Sequence, residues 1–273
     1  MQAASRESYA AGVERFEAHA RSADPAALVA MADEILSVAA LLQREPRLRR
    51  ALADPARTGE DRAGLLGGLL AGKVQAATSE LLNTLVSGRW STPTDLLTAV
   101  EQIGVSALLA SADRAGELGE IEDELFRFGQ IVAADPQLSS LLSDPVASAE
   151  RRAELARGLL EGKARPLTVR LVEVALAGFG GRSFSGALSR LVELAAERRE
   201  RQIAHVTVAA PLTEEEERRL GSTLSQMYGR EVSVKQHVDP EILGGMSVQV
   251  GSDLYDGTVL RRLTETRKAL TQR

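Results

Sequence analysis

The chain contains no cysteine, which excludes disulfide bonds, thiolate metal sites and cysteine nucleophiles. Histidine is almost as scarce, because the chain has only His19, His205 and His237, in three separate segments. No residue stands in a recognisable nucleophile elbow or catalytic triad. The sequence therefore predicts no catalytic residue, no metal ligand and no cofactor, and a protein that is not an enzyme.

An excess of positive charge is also lacking. The 33 lysines and arginines are outnumbered by 38 aspartates and glutamates, which gives a formal net charge of −5. Duplex-binding proteins usually present a basic face that displaces counterions from the phosphates. The charge balance therefore argues against nucleic acid as a partner.

Long apolar runs without charge are absent as well. The most apolar stretch, residues 26–42, contains Asp33 and Glu34, which are costly at the centre of a bilayer. Residues 1–20 carry several charged side chains and no apolar segment typical of a signal peptide. We expect a soluble chain with no direct membrane insertion, so that any membrane association goes through a partner.

Aromatic residues make up only 3% of the chain, although 44% of it is hydrophobic. Its cores must therefore be built from leucine, valine, isoleucine and alanine. Leucine and alanine are strong helix formers, so the composition favours helices.

The main feature of the sequence is an internal repeat with an offset of 90 residues. A self-match of this kind indicates a duplicated structural module, so the two segments should share one fold. Among the residues that recur unchanged 90 positions later are Glu34, Pro46, Leu48, Leu52, Asp54, Pro55, Glu60, Arg62, Ala63, Gly68, Leu69, Leu70, Gly72 and Lys73.

Start and stop signals divide each copy into short helices. Asp24 and Thr92 each precede a proline at the first helical position, where its missing N–H is no loss. Thr58 can cap a helix that has acidic residues in its first turn. Apolar residues follow at helical spacing, so each copy is predicted to be a helical bundle.

One helix is expected to serve both bundles. Residues 93–112 close the first copy, and the 90-residue offset also aligns them with the first helix of the second copy. The predicted domains are therefore a first bundle over 1–112 and a second over 93–202, which share this helix, followed by a small domain over 203–273.

The last seventy or so residues change from helical spacing to alternation. Ile203, Val206 and Val208 indicate a strand, and Thr213 with Glu216 forms a capping box that opens a helix. Two further alternating segments follow, and Asp256 can cap a final helix. The predicted order is strand, helix, strand, strand, helix. The fold class is mainly α, with two tandem related helical bundles followed by a small α/β C-terminal domain.

Gly244, Gly245 and Gly251 allow two interpretations. They could form a phosphate loop, but the chain has neither G-x-x-x-x-G-K-[ST] nor G-x-G-x-x-G, so turn glycines between strands are favoured. Asp256 and its acidic neighbours could bind a metal ion, but they lack the spacing of an EF-hand loop. These three glycines and Asp256 are interpreted as a structural motif.

The tail and the two copies together resemble a known family, the delta subunit of F-type ATP synthases, whose mitochondrial relative is the oligomycin-sensitivity-conferring protein. The family usually has serine where Thr258 stands, and ordinarily one bundle where this sequence carries two. The matching segments are Ala210-Pro211-Leu212-Thr213, Val238-Asp239-Pro240, Leu243-Gly244-Gly245, Val250-Gly251 and Asp256-Gly257-Thr258 in the tail, and Ser8-Tyr9-Ala10, Pro46, Leu48, Leu52, Asp54-Pro55 and Gly88-Arg89 in the first copy.

The resemblance implies a non-catalytic stator subunit on the cytoplasmic face of the cell membrane. Such a subunit links the N-terminal helix of an alpha subunit in the catalytic head to the b subunit of the peripheral stalk, so that rotor torque driven by proton flow is coupled to ATP synthesis. Helix-in-groove docking suits a bundle with apolar stripes. By position, the expected partner-binding residues are Tyr9, Val13 and Phe16 of the first helix, Leu81 and Leu85 of a later one, and Leu171 and Leu176 in the second copy.

An alternative of another class is a small-molecule-binding or enzymatic α/β module with a helical scaffold. Stabilisation by nucleotides, phosphate or divalent ions in a thermal shift assay would favour it, because a ligand of the native state raises its stability. A general helical-repeat scaffold is a weaker alternative, since solenoids usually need at least three units.

Overall fold

The computed structural model describes residues 2–144, 146–200, 203–228, 232–239, 242, 244–250, 253–259 and 261. They form two compact units, Met1–Ala195 and Ala196–Arg273. The first unit is helical, and the second contains a small four-stranded sheet. The predicted fold class, mainly α with a small C-terminal α/β domain, is confirmed.

The helices begin at the capping signals seen in the sequence. The carboxylate of Asp24 accepts the backbone N–H of Ala27 at 2.7 Å, and Thr58 forms a capping box with Asp61. These bonds satisfy N–H groups that have no partner inside the helix. The helices of the first half are α1 (Ala3–Ala20), α2 (Pro25–Arg44), α3 (Pro46–Leu52), α4 (Gly59–Leu70), α5 (Ala76–Ser87) and α6 (Pro93–Arg114).

The second half repeats this order. Helices α9 and α10 begin 90 residues after α4 and α5. The helices are α7 (Leu118–Ala134), α8 (Pro136–Ser143), α9 (Ala149–Leu160), α10 (Pro166–Leu176) and α11 (Phe184–Glu200), with a 3-10 turn at Phe179–Gly181 before α11.

A carboxylate clasp recurs at the same repeat position. Glu34 of α2 accepts the backbone N–H of Gln75 at 3.1 Å and the hydroxyl of Thr78. In the second copy, Glu124 of α7 accepts the backbone N–H of Arg165 at 2.9 Å and the hydroxyl of Thr168 at 2.5 Å. Each carboxylate therefore neutralises the first turn of a helix, where negative charge is stabilising.

Helix α6 packs against α1, α2, α3 and α5 of the first copy and against α7, α10 and the 3-10 turn of the second. It is buried on almost all sides, which explains its long apolar sequence. Its register differs from the 90-residue offset. Ser8 of α1 donates to the carbonyl of Arg89 in the segment after α5, and Glu101 of α6 accepts the N–H of Gly180, which belongs to the same peptide unit of the repeat, in the segment after α10. Ser8 therefore corresponds to Glu101, three residues beyond the position the offset predicts.

The C-terminal unit is a mixed sheet in the order β2-β1-β3-β4. Strands β1 (Ile203–Val208) and β2 (Ser233–Val238) run parallel and are connected through α12 (Glu214–Tyr228), whereas β3 (Met246–Val250) runs antiparallel to both β1 and β4 (Asp253–Asp256). Valines of β1 and β3 form its core with Leu224 of α12. The sequence did not predict β4, because it is four residues long with an aspartate at each end.

The structure describes two of the three glycines in the predicted structural motif, together with Asp256. Gly244 and Gly245 directly precede β3 with φ of 139° and 81°, and a Cβ atom on Gly245 would lie 2.5 Å from the carbonyl oxygen of Gly257. Asp256 ends β4 and accepts the N–H of Thr258 at 3.0 Å. Gly251 and most of the predicted final helix lie outside the described residues.

Candidate partner-binding site

Helix α1 lies between α5 and α6. It runs antiparallel to α5, since Ser8 contacts Arg89 and Arg15 pairs with Glu80. It runs parallel to α6, since Ser5 donates to Asp95 at 2.7 Å near the start of both helices. The two neighbours together fix which side of α1 faces outward.

Small residues let α1 approach its neighbours closely. Its buried side is formed by Ser5, Ser8, Gly12, Phe16 and Ala20. A side chain at Gly12 would clash with Leu85 of α5. Phe16, which is 1% exposed, is the one large side chain on this face. The other buried residues are small, so the backbone of α1 packs close to α5 and α6.

Among the described residues of the first unit, the outer face of the α1–α5 pair is exposed, and we call it the first wall. On α1, Ala4, Ala11 and Ala18 are exposed at seven-residue spacing, so they lie along one stripe of the helix. On α5, Glu80 and Ser87 are exposed and Thr84 is half-buried. A cavity of about 310 Å³ lies at one end of this face, between α1, Met31 of α2 and α5.

The structure places most of the predicted partner-binding residues in the interior. The helical spacing that selected them marks the stripe facing the core, because apolar residues at this spacing bury the inner side of a helix. Tyr9 and Val13 are half-buried and lie on the flank of α1 away from the first wall. Direct partner contact by these seven residues stays a prediction. The buried members are Phe16, Leu81, Leu85, Leu171 and Leu176.

The amino-acid sequence alone did not predict the first wall as a partner-binding surface. Alanines do not mark one side of a helix as apolar, and Glu80, Thr84 and Ser87 are typical of a solvent-exposed helix face. The available signal was the seven-residue spacing of the exposed alanines, which only becomes visible once the buried side of α1 is known.

The corresponding face of the second copy is formed by α6 and α10, and we call it the second wall. It is covered by α2. Asp33 of α2 pairs with Arg170 of α10, and Gln43 of α2 donates to the carbonyl of Ala177 at 3.3 Å. A cavity of about 350 Å³ remains between α2 and α10, with Glu101 of α6 among its lining residues.

Glu101 is a buried carboxylate at this junction. It is 8% exposed and accepts the N–H of Gly180 at 2.9 Å. Burial raises the pKa of Glu101, and the N–H of Gly180 with the charges of Arg182 and Arg49 only partly offsets this. The carboxylate therefore fastens the 3-10 turn to α6 while its negative charge remains costly to bury.

The opposite balance holds at the clasp of the second copy. Burial alone would raise the pKa of Glu124, but hydrogen bonds from the Thr168 hydroxyl and from the backbone and guanidinium of Arg165 outweigh it, and the pKa is lowered. The charged form of Glu124 thus stabilises the junction of α7 and α10.

A further apolar groove of about 390 Å³ lies between α7 and α11. Leu125, Val132, Phe184 and Leu188 line it, and Phe126 on its edge is 54% exposed. It is a second surface that could receive an apolar partner.

In the part of the chain that the structure describes, no group of three or more histidine, aspartate or glutamate side chains is placed to hold a metal ion. Helices α2 and α6 are long and apolar enough to cross a bilayer, but core helices of soluble proteins pass the same test. Both supply core residues to the first unit, including Ile35 and Ile103.

Comparison with known proteins places these features in a family. A family model for the ATP synthase delta (OSCP) subunit matches residues 105–270. The match runs from within α6 through the second copy into the C-terminal unit, so most of the first copy lies outside it.

Relatives match over nearly the whole chain. A protein named ATP synthase subunit delta from Salinispora arenicola is 70% identical over 274 residues, covering 100% of both chains. One of the same name from Streptomyces griseus is 45% identical, covering 99% of both, and one from Frankia alni is 43% identical, covering 88% of this chain and 87% of its own. The chain therefore belongs to the ATP synthase delta (OSCP) subunit family and is a stator component of the peripheral stalk of F-type ATP synthase, a membrane-associated complex in which it works with other subunits.

Proposed function

We propose that this subunit links the N-terminal helix of an alpha subunit in the catalytic head to the b subunit of the peripheral stalk. It does so on the cytoplasmic face of the cell membrane, without entering the bilayer and without chemistry of its own. Torque from the rotor, driven by proton flow, then does chemical work in the head instead of turning it.

The open first wall is the observation that carries this proposal. The alanines on α1, with Thr84 and Ser87 on α5, let a partner helix approach both backbones closely, and Glu80 adds a charge at the edge of this face. Helix-in-groove docking buries apolar surface over several turns, and it gives a stiff joint. A stator must resist torque, so a stiff joint suits its task.

The C-terminal unit is the proposed contact for the b subunit. Its edge strand β4 exposes Leu254 at 62% and Tyr255 at 46%. Exposed apolar side chains on an edge strand are a common feature of protein contacts. A contact to the head on one unit and a contact to the b subunit on the other join the two partners in series, so both contacts are needed for the link.

We also propose the domain boundaries that the repeat suggests. The first bundle spans residues 1–112, the second spans 93–202 with the helix at 93–112 in common, and the α/β domain spans 203–273. The packing of α6 against helices of both copies supports the shared helix.

Binding to the catalytic head tests the alpha-subunit contact. The purified head should bind the full chain, and a head that lacks the N-terminal segment of its alpha subunits should bind it at least about a hundredfold more weakly, since hot spots dominate such interfaces. Equal affinity for both heads would contradict the proposal. In proteoliposomes, ATP-driven proton pumping should be lost without the subunit and restored by adding it back.

A further inference from the structure

The two walls correspond residue by residue. On α1 and α6 the pairs follow from Ser8 and Glu101, and on α5 and α10 they follow the 90-residue repeat. Positions of the first wall are therefore matched by positions of the second wall, most of which lie near α2. The pairs are Ala4 with Leu97, Ala11 with Gly104, Ala18 with Ser111, Glu80 with Arg170, Thr84 with Val174 and Ser87 with Ala177.

Helix α2 lies along this set of positions on the second wall. A Cβ atom on Gly104 would lie 2.8 Å from the side chain of Leu36, and the hydroxyl of Ser111 donates to the carbonyl of Pro25 at 2.8 Å. On the α10 side, α2 reaches Arg170 through Asp33 and the carbonyl of Ala177 through Gln43. One helix thus bridges both helices of the wall.

We infer that α2 occupies the helix-binding wall of the second copy within the same chain, and that the first wall is the docking site left open for a partner. The occupant is an amphipathic helix that carries a basic residue one turn before an aliphatic residue. This inference rests on the proposed function and names the bundle, the surface and the charge pattern of the partner helix.

The arrangement of α2 supplies the expected pattern. Leu36 lies at Gly104, and Asp33, three residues earlier, pairs with Arg170. On the first wall, Ala11 stands where Gly104 stands, and its methyl group takes up the space that Leu36 uses at Gly104, so an aliphatic side chain of a partner packs against this methyl group at a slightly greater distance from the helix backbone. Glu80 stands where Arg170 stands, so the charge that faces it must change from acidic to basic.

The existing pair of Glu80 does not prevent this. Arg15 and Glu80 have side-chain exposures of 54% and 60%. Exposed ion pairs of this kind contribute little to stability, so a partner cation can approach Glu80 at little cost. Desolvation under a docked helix then strengthens the new contact.

The inference differs from what similarity alone suggests. The family match begins within α6 and covers the second copy, which would place a partner helix on the second wall. There, however, a partner would have to displace α2, whose Ile35 and Leu42 are fully buried. Displacement would expose part of the core of the first unit.

A matched pair of tryptophan variants tests the open wall. Ala10 and Ala11 are both exposed on α1, but only Ala11 lies on the first wall. Ala11→Trp should weaken binding of the chain to the intact catalytic head at least about tenfold, whereas Ala10→Trp should leave affinity unchanged. Circular dichroism and melting temperature should match the parent for both variants. Parental affinity for Ala11→Trp would overturn the inference, most directly if Phe126→Asp, in the groove between α7 and α11, abolished binding instead.

Charge reversal tests the basic residue of the partner. Glu80→Arg copies the charge of the second wall and should weaken binding to the head about tenfold at low salt, with a smaller effect at high salt. Glu80→Gln should have an intermediate effect. Tighter binding by Glu80→Arg would show that the partner helix is acidic at this position and would overturn the assigned charge pattern.

Hydrogen exchange on the full chain alone tests the position of α2. Asp33→Arg places two positive charges together at a pair whose side chains are 39% and 41% exposed, and it should raise exchange of the amides of residues 25–44 about two- to fivefold. The double variant Asp33→Arg with Arg170→Asp should restore protection. Unchanged protection in the single variant would overturn occupation of the second wall by α2.

The outcomes distinguish the inference from the proposed function. If binding to the head does not depend on the alpha N-terminal segment, yet Ala11→Trp still abolishes it, the alpha contact is wrong and the open wall stands. If binding needs that segment but is insensitive to Ala11→Trp, the proposed function stands and the inference falls. A chain that does not bind the head at all would overturn both.

Discussion

Arg62 should be one of the most stabilising polar residues of the first copy. Its guanidinium is buried, with the residue 3% exposed, and it donates at 3.0 Å to each of three backbone carbonyls, those of Asp54, Ser87 and Gly88. Ser87 and Gly88 end α5, so the positive charge also faces the negative end of that helix. One side chain thus joins α4, α5 and the loop before α4.

Arg62→Met keeps the aliphatic stem and the helix propensity but removes all three bonds. At about 1 kcal/mol for each bond, the expected loss is about 3 kcal/mol of unfolding free energy. Arg152 occupies the same place in the second copy, is half-buried and donates to Leu142 at 3.2 Å. Arg152→Met should therefore cost only about 1 kcal/mol.

Urea denaturation followed by tryptophan fluorescence is the assay. Trp90 is the only tryptophan. It is buried, and its indole donates to the carbonyl of Leu85 at 2.8 Å, so it reports on the end of α5 that Arg62 holds. The denaturation midpoint should fall more for Arg62→Met than for Arg152→Met, with similar m-values. Equal losses, or a loss below about 1 kcal/mol for Arg62→Met, would refute the assignment of three effective bonds.

Three further variants follow from the same structure. Glu124→Gln should be less stable than the parent at neutral pH, and the difference should shrink as the pH falls. The lowered pKa of Glu124 in the folded state contributes stability above the unfolded pKa, and this contribution is lost on acidification. Urea denaturation midpoints measured across pH test this, and a pH-independent difference would contradict it. Glu101→Gln should behave in the opposite sense, because the raised pKa of Glu101 means that its charged form destabilises the folded state at neutral pH. The variant should therefore be more stable than the parent at neutral pH. A less stable variant at this pH would show that the charge is needed. Gly245→Ala should lower the melting temperature of the C-terminal unit, because of its positive φ and the nearby Gly257 carbonyl, whereas Gly64→Ala in α4, with open space around it, should be neutral or stabilising in differential scanning calorimetry.

Much of the fold could be predicted from local signals. Asp24, Thr58, Thr92 and Thr213 accept the expected capping bonds, because a cap depends on residues within one turn of the chain. The 90-residue repeat also predicted that helices would recur. Strand β4 was missed, since a strand that short is fixed by its pairing with β3 and not by its own residues.

The candidate site was harder to predict. Apolar spacing identifies the side of a helix that is buried, but it does not say whether a partner or the core buries it. The spacing of Phe16 and Leu85 predicts a groove, and the structure places both side chains in the core, so their contact with a partner stays a prediction. The three-residue shift of α6 relative to the repeat, which matches Ser8 with Glu101, depends on tertiary contacts that no local pattern contains.

The use of one continuous helix by both copies has a geometric consequence. An α-helix turns by about 100° and rises about 1.5 Å for each residue. One residue inserted or deleted midway along α6 would therefore rotate the second half of α6, and the helices of the second copy that pack against it, by about 100° relative to the first copy. Such a change would separate Leu36 from Gly104 and Asp33 from Arg170 at the same time. Length differences among relatives should therefore fall in connecting loops, while the number of residues in α6 stays constant, because the length of α6 sets the orientation of one copy relative to the other.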